Sequence, residues 1–191
     1  MGLGTIITLA VLVVVAVYAI TIYNALVQLK HNVTKAWANI DVLLKQRHDE
    51  LPKLIETCKQ YMKFEQDTLT RVIEARSKVS TAREAQNIQA LGQAETGMRA
   101  ALGNLFALAE AYPDLKANQN FQQLQTRISS LENAIADRRE FYNESVNVNN
   151  VRVEQFPDAI VASMFGFKAA QLLEFSEEEK KDVDVKQLFN S

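Results

Sequence analysis

From Leu3 to Ile22 no side chain is charged, and this run, LGTIITLAVLVVVAVYAITI, constrains the chain more than any other feature. A helix of about twenty residues rises roughly 30 Å, the thickness of a bilayer's hydrocarbon core. A soluble core helix of this composition would need the rest of the chain wrapped around it. A cleaved signal peptide is the closer rival, because Val17-Tyr18-Ala19 looks like a small-residue cleavage site. Met1-Gly2, however, supplies none of the basic residues that normally open such a segment. The run therefore reads as a transmembrane helix touching lipid from Leu3 to Ile22, with Tyr18 and Tyr23 near its end, where aromatic rings favour the headgroups. Lys30, Lys35, Lys45 and Arg47 follow the run and no charged side chain precedes it. The positive-inside rule then puts the following domain in the cytoplasm and a short N-terminus outside.

Beyond the anchor, helical spacing dominates. Leu26, Leu29, Val33, Trp37, Ile40 and Leu44 step by three and four, with no Gly or Pro between them and the span. One helix is expected to leave the membrane without a flexible linker. Pro52 interrupts the pattern, which resumes at once through Leu51, Leu54, Cys58, Tyr61, Glu65, Leu69, Val72 and Val79. Pro52 therefore reads as a kink in a continuing helix. Thr81-Ala82-Arg83-Glu84 fits a capping box and predicts a second major helix over Ala82–Tyr112, ended by Tyr112-Pro113-Asp114. Asn118 or Asn120 caps a third, striped by Phe121, Leu124, Ile128, Leu131, Ile135 and Tyr142 and running to about Asn150. The alternation over Val146–Val153 mimics a strand, but a lone strand has nothing to pair with, so it stays helical. A short helix follows around Asp158–Ala170. With only 6 Gly and 3 Pro in 191 residues, few long elements are expected.

The predicted fold is all-α, with one N-terminal transmembrane helix continuing into an elongated antiparallel three- or four-helix bundle. The chain divides into an anchor over 1–24, a long-helix bundle over 25–175 and a charged tail over 176–191. Narrow apolar stripes of this kind bury a core within one chain and also suit coiled-coil association between chains, so a homo-oligomer is expected. Phe165, Phe167, Leu172 and Phe175 cluster near the end of the bundle, as its cover or as a patch for a protein partner.

Chemistry is sparse. One cysteine excludes an intramolecular disulfide, and two histidines, His31 and His48, are too few and too far apart for a local metal motif. Basic and acidic residues nearly balance, 21 against 23, so no nucleic-acid partner is indicated. Phosphate loop, dinucleotide fingerprint, metalloprotease pair and nucleophile elbow are all missing from the sequence. No catalytic, cofactor-binding or metal-ligating residue is therefore assigned, and no cofactor is expected. Arg47-His48-Asp49-Glu50 reads as a solvated charged helix face, because consecutive helical positions diverge. Cys58 reads as a small core residue. Arg138 and Arg139, with Glu132 and Glu140 nearby, read as salt-bridge formers, and Arg76 with Glu65 likewise. Asp41, Asn143 and Asn149 fall near packed faces and are given structural roles, since buried polar groups need partners and help set register.

The order of several short stretches adds to this. Tyr23-Asn24-Ala25-Leu26-Val27 ends the anchor, Ala36 to Arg47 reads AWANIDVLLKQR, and Leu51-Pro52-Lys53-Leu54 follows. Mid-chain stands Ala109 to Asn118, AEAYPDLKAN, then Phe121 with Leu124-Gln125, Arg138-Arg139 with Tyr142-Asn143, Phe156-Pro157 and Gly166-Phe167. From about Tyr23 to Phe175 the chain resembles the bacterial LemA family. It departs from the family's usual basic pair before the proline, having Lys45-Gln46-Arg47. The resemblance implies an anchored helical bundle in a bacterial inner membrane with its N-terminus outside, and implies no established catalytic activity. The expected role is a non-enzymatic scaffold that self-associates or organises partners at the membrane. The alternatives are an adaptor or regulator of a membrane protease or signalling protein, and an enzyme with an unrecognised site.

Overall fold

The computed structural model describes residues 2–174. The predicted tail over 176–191, and Phe175 of the predicted patch, lie outside the described residues. Among the described residues the chain is all-helical, without a strand: α1 (Leu3–Tyr61), α2 (Gln66–Glu84), α3 (Ile88–Ala109), the single turn α4 (Pro113–Lys116), α5 (Gln119–Glu154) and α6 (Asp158–Phe165). The chain forms two compact units. The first takes the chain to Ile40 and resumes with Asp137–Leu172; the second holds Asp41–Ala136 and the described residues from Leu173.

α1 carries 59 residues without a break and passes through Pro52, whose ring is exposed. Its first part has a mean hydropathy of 2.7 and is almost wholly unburied, with Leu3, Val14 and Ile20 each more than half exposed. Apolar side chains in that density need a non-aqueous surround, and the bilayer supplies it.

In the second unit, buried residues follow the alternating three-four spacing of a packed seam. On α1 they are Leu44, Arg47, Leu51, Leu54, Cys58 and then Met62 just past the helix; on α3 they are Leu91, Glu95, Met98, Leu102, Leu105 and Ala109. α2 contributes Leu69, Val72 and Val79, and α5 contributes Phe121, Ile128, Leu131 and Ile135. Each fully buried leucine contributes about 1.5–3 kcal/mol.

The last short helix stops at Phe165, capped by Gly166 at φ 72°, rather than running to Ala170, and two breaks between longer helices also differ from the sequence expectation. The first helix ends at Tyr61 rather than running on through Val79. The turn over 62–65 preserves the phase of the apolar pattern, because Met62 at its start and Leu69 beyond it stand seven positions apart. Side chains tie it down: the Tyr112 hydroxyl donates to Glu65 Oε1 at 3.1 Å, and Asn118 Nδ2 donates to the Tyr61 hydroxyl at 3.0 Å. The capping box at Thr81 is also overturned. Thr81 lies inside α2 and its hydroxyl donates back to the Ser77 carbonyl. The break falls beyond it, at Gln86 with φ 50°, and α3 is capped by Asn87, whose Oδ1 accepts from the Ala90 amide at 2.9 Å. Asn118 caps α5 by accepting from the Phe121 amide at 3.0 Å. Pro113 occupies the first turn of α4, where its missing N–H is harmless.

In the first unit, Ile22 and Leu26 of α1 form a cluster with Val161 and Ala162 of α6, flanked by Ala19, Val153 and Phe167. Trp37 meets Tyr142 edge-on, with ring centroids 5.9 Å apart. Residues 168–171 are held along α5 by side chains that stand in for a neighbouring strand. Asn150 both donates to the Ala170 carbonyl at 2.9 Å and accepts its amide at 2.8 Å, and the Tyr142 hydroxyl donates to the Gln171 carbonyl at 2.9 Å.

Candidate functional site

The second unit holds a chain of charges under its surface. Arg47 and Glu95 are each 1% exposed. The guanidinium of Arg47 grips Glu95 with both terminal nitrogens and also donates from Nη1 to Glu132 Oε1. The other oxygen of Glu132 lies 3.6 Å from Arg99 Nε. Two arginines and two glutamates from α1, α3 and α5 are thus joined. Burial works against the charge on Arg47, but the carboxylates of Glu95 and Glu132 more than offset it and hold its pKa above the usual arginine value. The expectation of a solvated face at Arg47–Glu50 is therefore wrong. Glu50 is also buried, accepting from Lys53 Nζ at 3.2 Å and facing Arg127 Nε at 3.1 Å.

The network's place in the sequence explains why it is buried. Arg47 continues the steps Ile40, Leu44, Leu51, Leu54, and Glu95 continues Leu91, Met98, Leu102. A charge at a seam position has no water, so it must meet its counter-ion. The arrangement joins three helices, and it leaves the Arg47 guanidinium and the Glu95 carboxylate fully engaged with each other. His48 beside it is bonded to Arg76, whose Nη2 is 2.6 Å from His48 Nε2 and whose Nε donates to the His48 carbonyl at 3.0 Å. A guanidinium only donates, so Nε2 accepts and the ring proton sits on Nδ1. Burial, then the charge of Arg76, lowers the His48 pKa.

The remaining predicted residues separate. Cys58 is buried and its thiol is pushed up to about 12 by burial alone. Arg76 and Glu65 do not pair with each other; each serves a different partner, His48 and Tyr112. Asp41 sits at the surface, 3.8 Å from Arg83. Asn149 is buried, and its Nδ2 reaches the Lys168 carbonyl at 3.5 Å. Of the aromatic and aliphatic patch, Phe165 and Leu172 are exposed while Phe167 is half-buried on the Ile22–Leu26 cluster. Among the described residues no three His, Cys, Asp or Glu side chains stand together as metal ligands. A surface groove lined by Glu50, Lys53, Asn120, Gln123 and Arg127 is open to solvent.

These features define a single-pass membrane protein whose helical bundle encloses a buried ion network. The chain belongs to the LemA family: the family model matches residues 36–187. It is 29% identical over 169 residues to Protein LemA of Metamycoplasma hominis, covering 87% of this chain and 75% of that protein. It is 24% identical over 188 residues to Magnetosome protein MamQ 2 of Paramagnetospirillum magneticum, covering 85% and 69% respectively. Magnetosome protein MamQ of Magnetospirillum gryphiswaldense matches at 24% over 172 residues, covering 78% and 63%. This is a bacterial membrane protein with one membrane-length apolar helix and a helical, non-membrane bundle. Membership of the family supports a general structural role.

Proposed function

We propose that the protein is a non-enzymatic, membrane-anchored scaffold that self-associates and so organises proteins on the cytoplasmic face of the membrane. The observation that carries this reading is an apolar stripe on the outside of α5. Phe141, Val148 and Val151 are 55%, 40% and 51% exposed and stand seven and three positions apart, the spacing of a helix–helix seam. Tethering by Leu3–Ile22 supports it further, because confinement to a membrane raises the effective concentration of one copy for another. Exposed Lys30 and Lys35 just beyond the span support the cytoplasmic side.

The test is cross-linking in the membrane. Val148→Cys in the full chain should form a covalent dimer under mild oxidation, while Gln123→Cys should not. Cys58, at 0% exposure, does not compete. Equal behaviour of the two variants would remove the α5 stripe as the contact.

A further inference from the structure

α6 is apolar on nearly every side. Its single charged residue, Asp158, is turned inward, where its Oδ2 meets Arg152 Nε and Gln155 Nε2, each at 3.0 Å. Val161 and Ala162 face Ile22 and Leu26 of α1. The opposite face is bare: Ile160 is 54% and Met164 74% exposed, and Phe156, just before the helix, is 83% exposed; Phe165, on the side toward α1, still leaves 60% of itself uncovered. A helix with apolar residues all round needs cover on both faces.

What covers it is set by where α6 sits. It packs on the last turn of the membrane span and the first turn beyond it, through Ala19, Ile22 and Leu26. Tyr23, the residue that follows the span, holds two rings of this segment edge-on, Phe165 at 4.8 Å and Phe167 at 5.7 Å between centroids. The exposed face is therefore fixed at the depth where the anchor leaves the hydrocarbon core. Aromatic residues are favoured at that depth, and an apolar helix can lie in the plane of the interface. Lys168, exposed three residues after Phe165, matches the same boundary, where a lysine lays its stem on apolar surface and its ammonium among lipid phosphates.

We infer that α6 is a second, interfacial membrane contact: Phe156, Ile160, Met164 and Phe165 insert into the headgroup–acyl boundary of the leaflet that Leu3–Ile22 exits. The span and α6 together then grip the bilayer at two points and fix how the first unit meets the membrane surface. The inference rests on Leu3–Ile22 crossing the bilayer and is independent of self-association.

The test uses the full chain in vesicles of phosphatidylethanolamine and phosphatidylglycerol. A polarity-sensitive fluorophore is attached at Met164→Cys and, in separate samples, at Val13→Cys within the span and Gln123→Cys on the second unit. Cys58 is buried and escapes labelling of the folded protein. The expected result is blue-shifted emission at 164, severalfold quenching by lipids spin-labelled near the headgroup, and protection from aqueous iodide, as opposed to free iodide access at 123. Unchanged helicity and Trp37 emission verify the fold; Ile160→Cys replaces Met164→Cys if they change. Iodide reaching 164 as readily as 123, with 13 still protected, overturns the inference and leaves the anchor intact. Protection from iodide without lipid quenching also overturns it, and assigns the face to a second copy. Iodide reaching 13 as readily as 123 removes the anchor itself and the inference with it.

Discussion

Truncating Arg47 to alanine in the full chain should destabilise the second unit by about 3–5 kcal/mol. The magnitude follows from burial. Glu95 is 1% exposed and spends both oxygens on Arg47, so the truncation strands a carboxylate with neither cation nor water. Glu132 suffers less, being 16% exposed and keeping Arg99 at 3.6 Å. The paired replacement Arg47→Met with Glu95→Leu removes both charges, hence the desolvation cost as well as the attraction. That variant should fall within about 1 kcal/mol of the wild type or exceed it. Urea unfolding in detergent, followed by far-ultraviolet circular dichroism, reads both values. A loss below about 1 kcal/mol for Arg47→Ala would place the pair in the class of solvated surface bridges. A double variant as unstable as the sum of the singles would show that uncompensated charge is not the source of the effect.

Three further outcomes follow from other contacts. His48 has a lowered pKa, so the unfolded state takes its proton first. Stability is full above the ordinary value of 6.5 and should fall as pH drops through it toward the lower folded value. His48→Gln should flatten that slope in urea unfolding, and an unchanged slope would assign it elsewhere. At Gly92 an added Cβ would stand 1.9 Å from the Glu174 carbonyl oxygen. Gly92→Ala therefore gains about 1 kcal/mol of helix propensity but displaces buried Leu173, which contributes about 1.5–3 kcal/mol, and hydrogen exchange at 173–174 should rise. Asn150→Ala strips both hydrogen bonds from Ala170 and should weaken the docking of 168–171 by about 1–3 kcal/mol, read as faster exchange of the Ala170 amide; an unaltered rate would mean that Asn150 does not hold the segment.

Legibility in the sequence followed the physics of each signal. The anchor was plain because an uncharged apolar run as long as a bilayer is thick suits little besides a bilayer. Asn118 and Pro113 were legible because caps and stops act locally. The turn at 62–65 was hidden: no Gly or Pro marks it, and the apolar phase runs through it undisturbed. Thr81 misled because a capping box has the right residues wherever threonine precedes glutamate by three, including inside a helix. Arg47 and Glu95 were missed by weighing charge above position. Their three-four spacing with Leu44, Leu51, Leu91 and Met98 was the available signal, while the match of one to the other is a tertiary fact that spacing on separate helices does not contain. The exposed face of α6 was legible only as an aromatic cluster; its depth beside Ile22 and Tyr23 required the fold.

The central claim, that anchored copies assemble, is tested most directly by the mass of the full chain in lipid nanodiscs. Self-association predicts a defined species holding more than one copy, reduced to a single copy by Val148→Glu with Val151→Glu. A single copy per disc for the wild type, at every protein-to-lipid ratio, would contradict it.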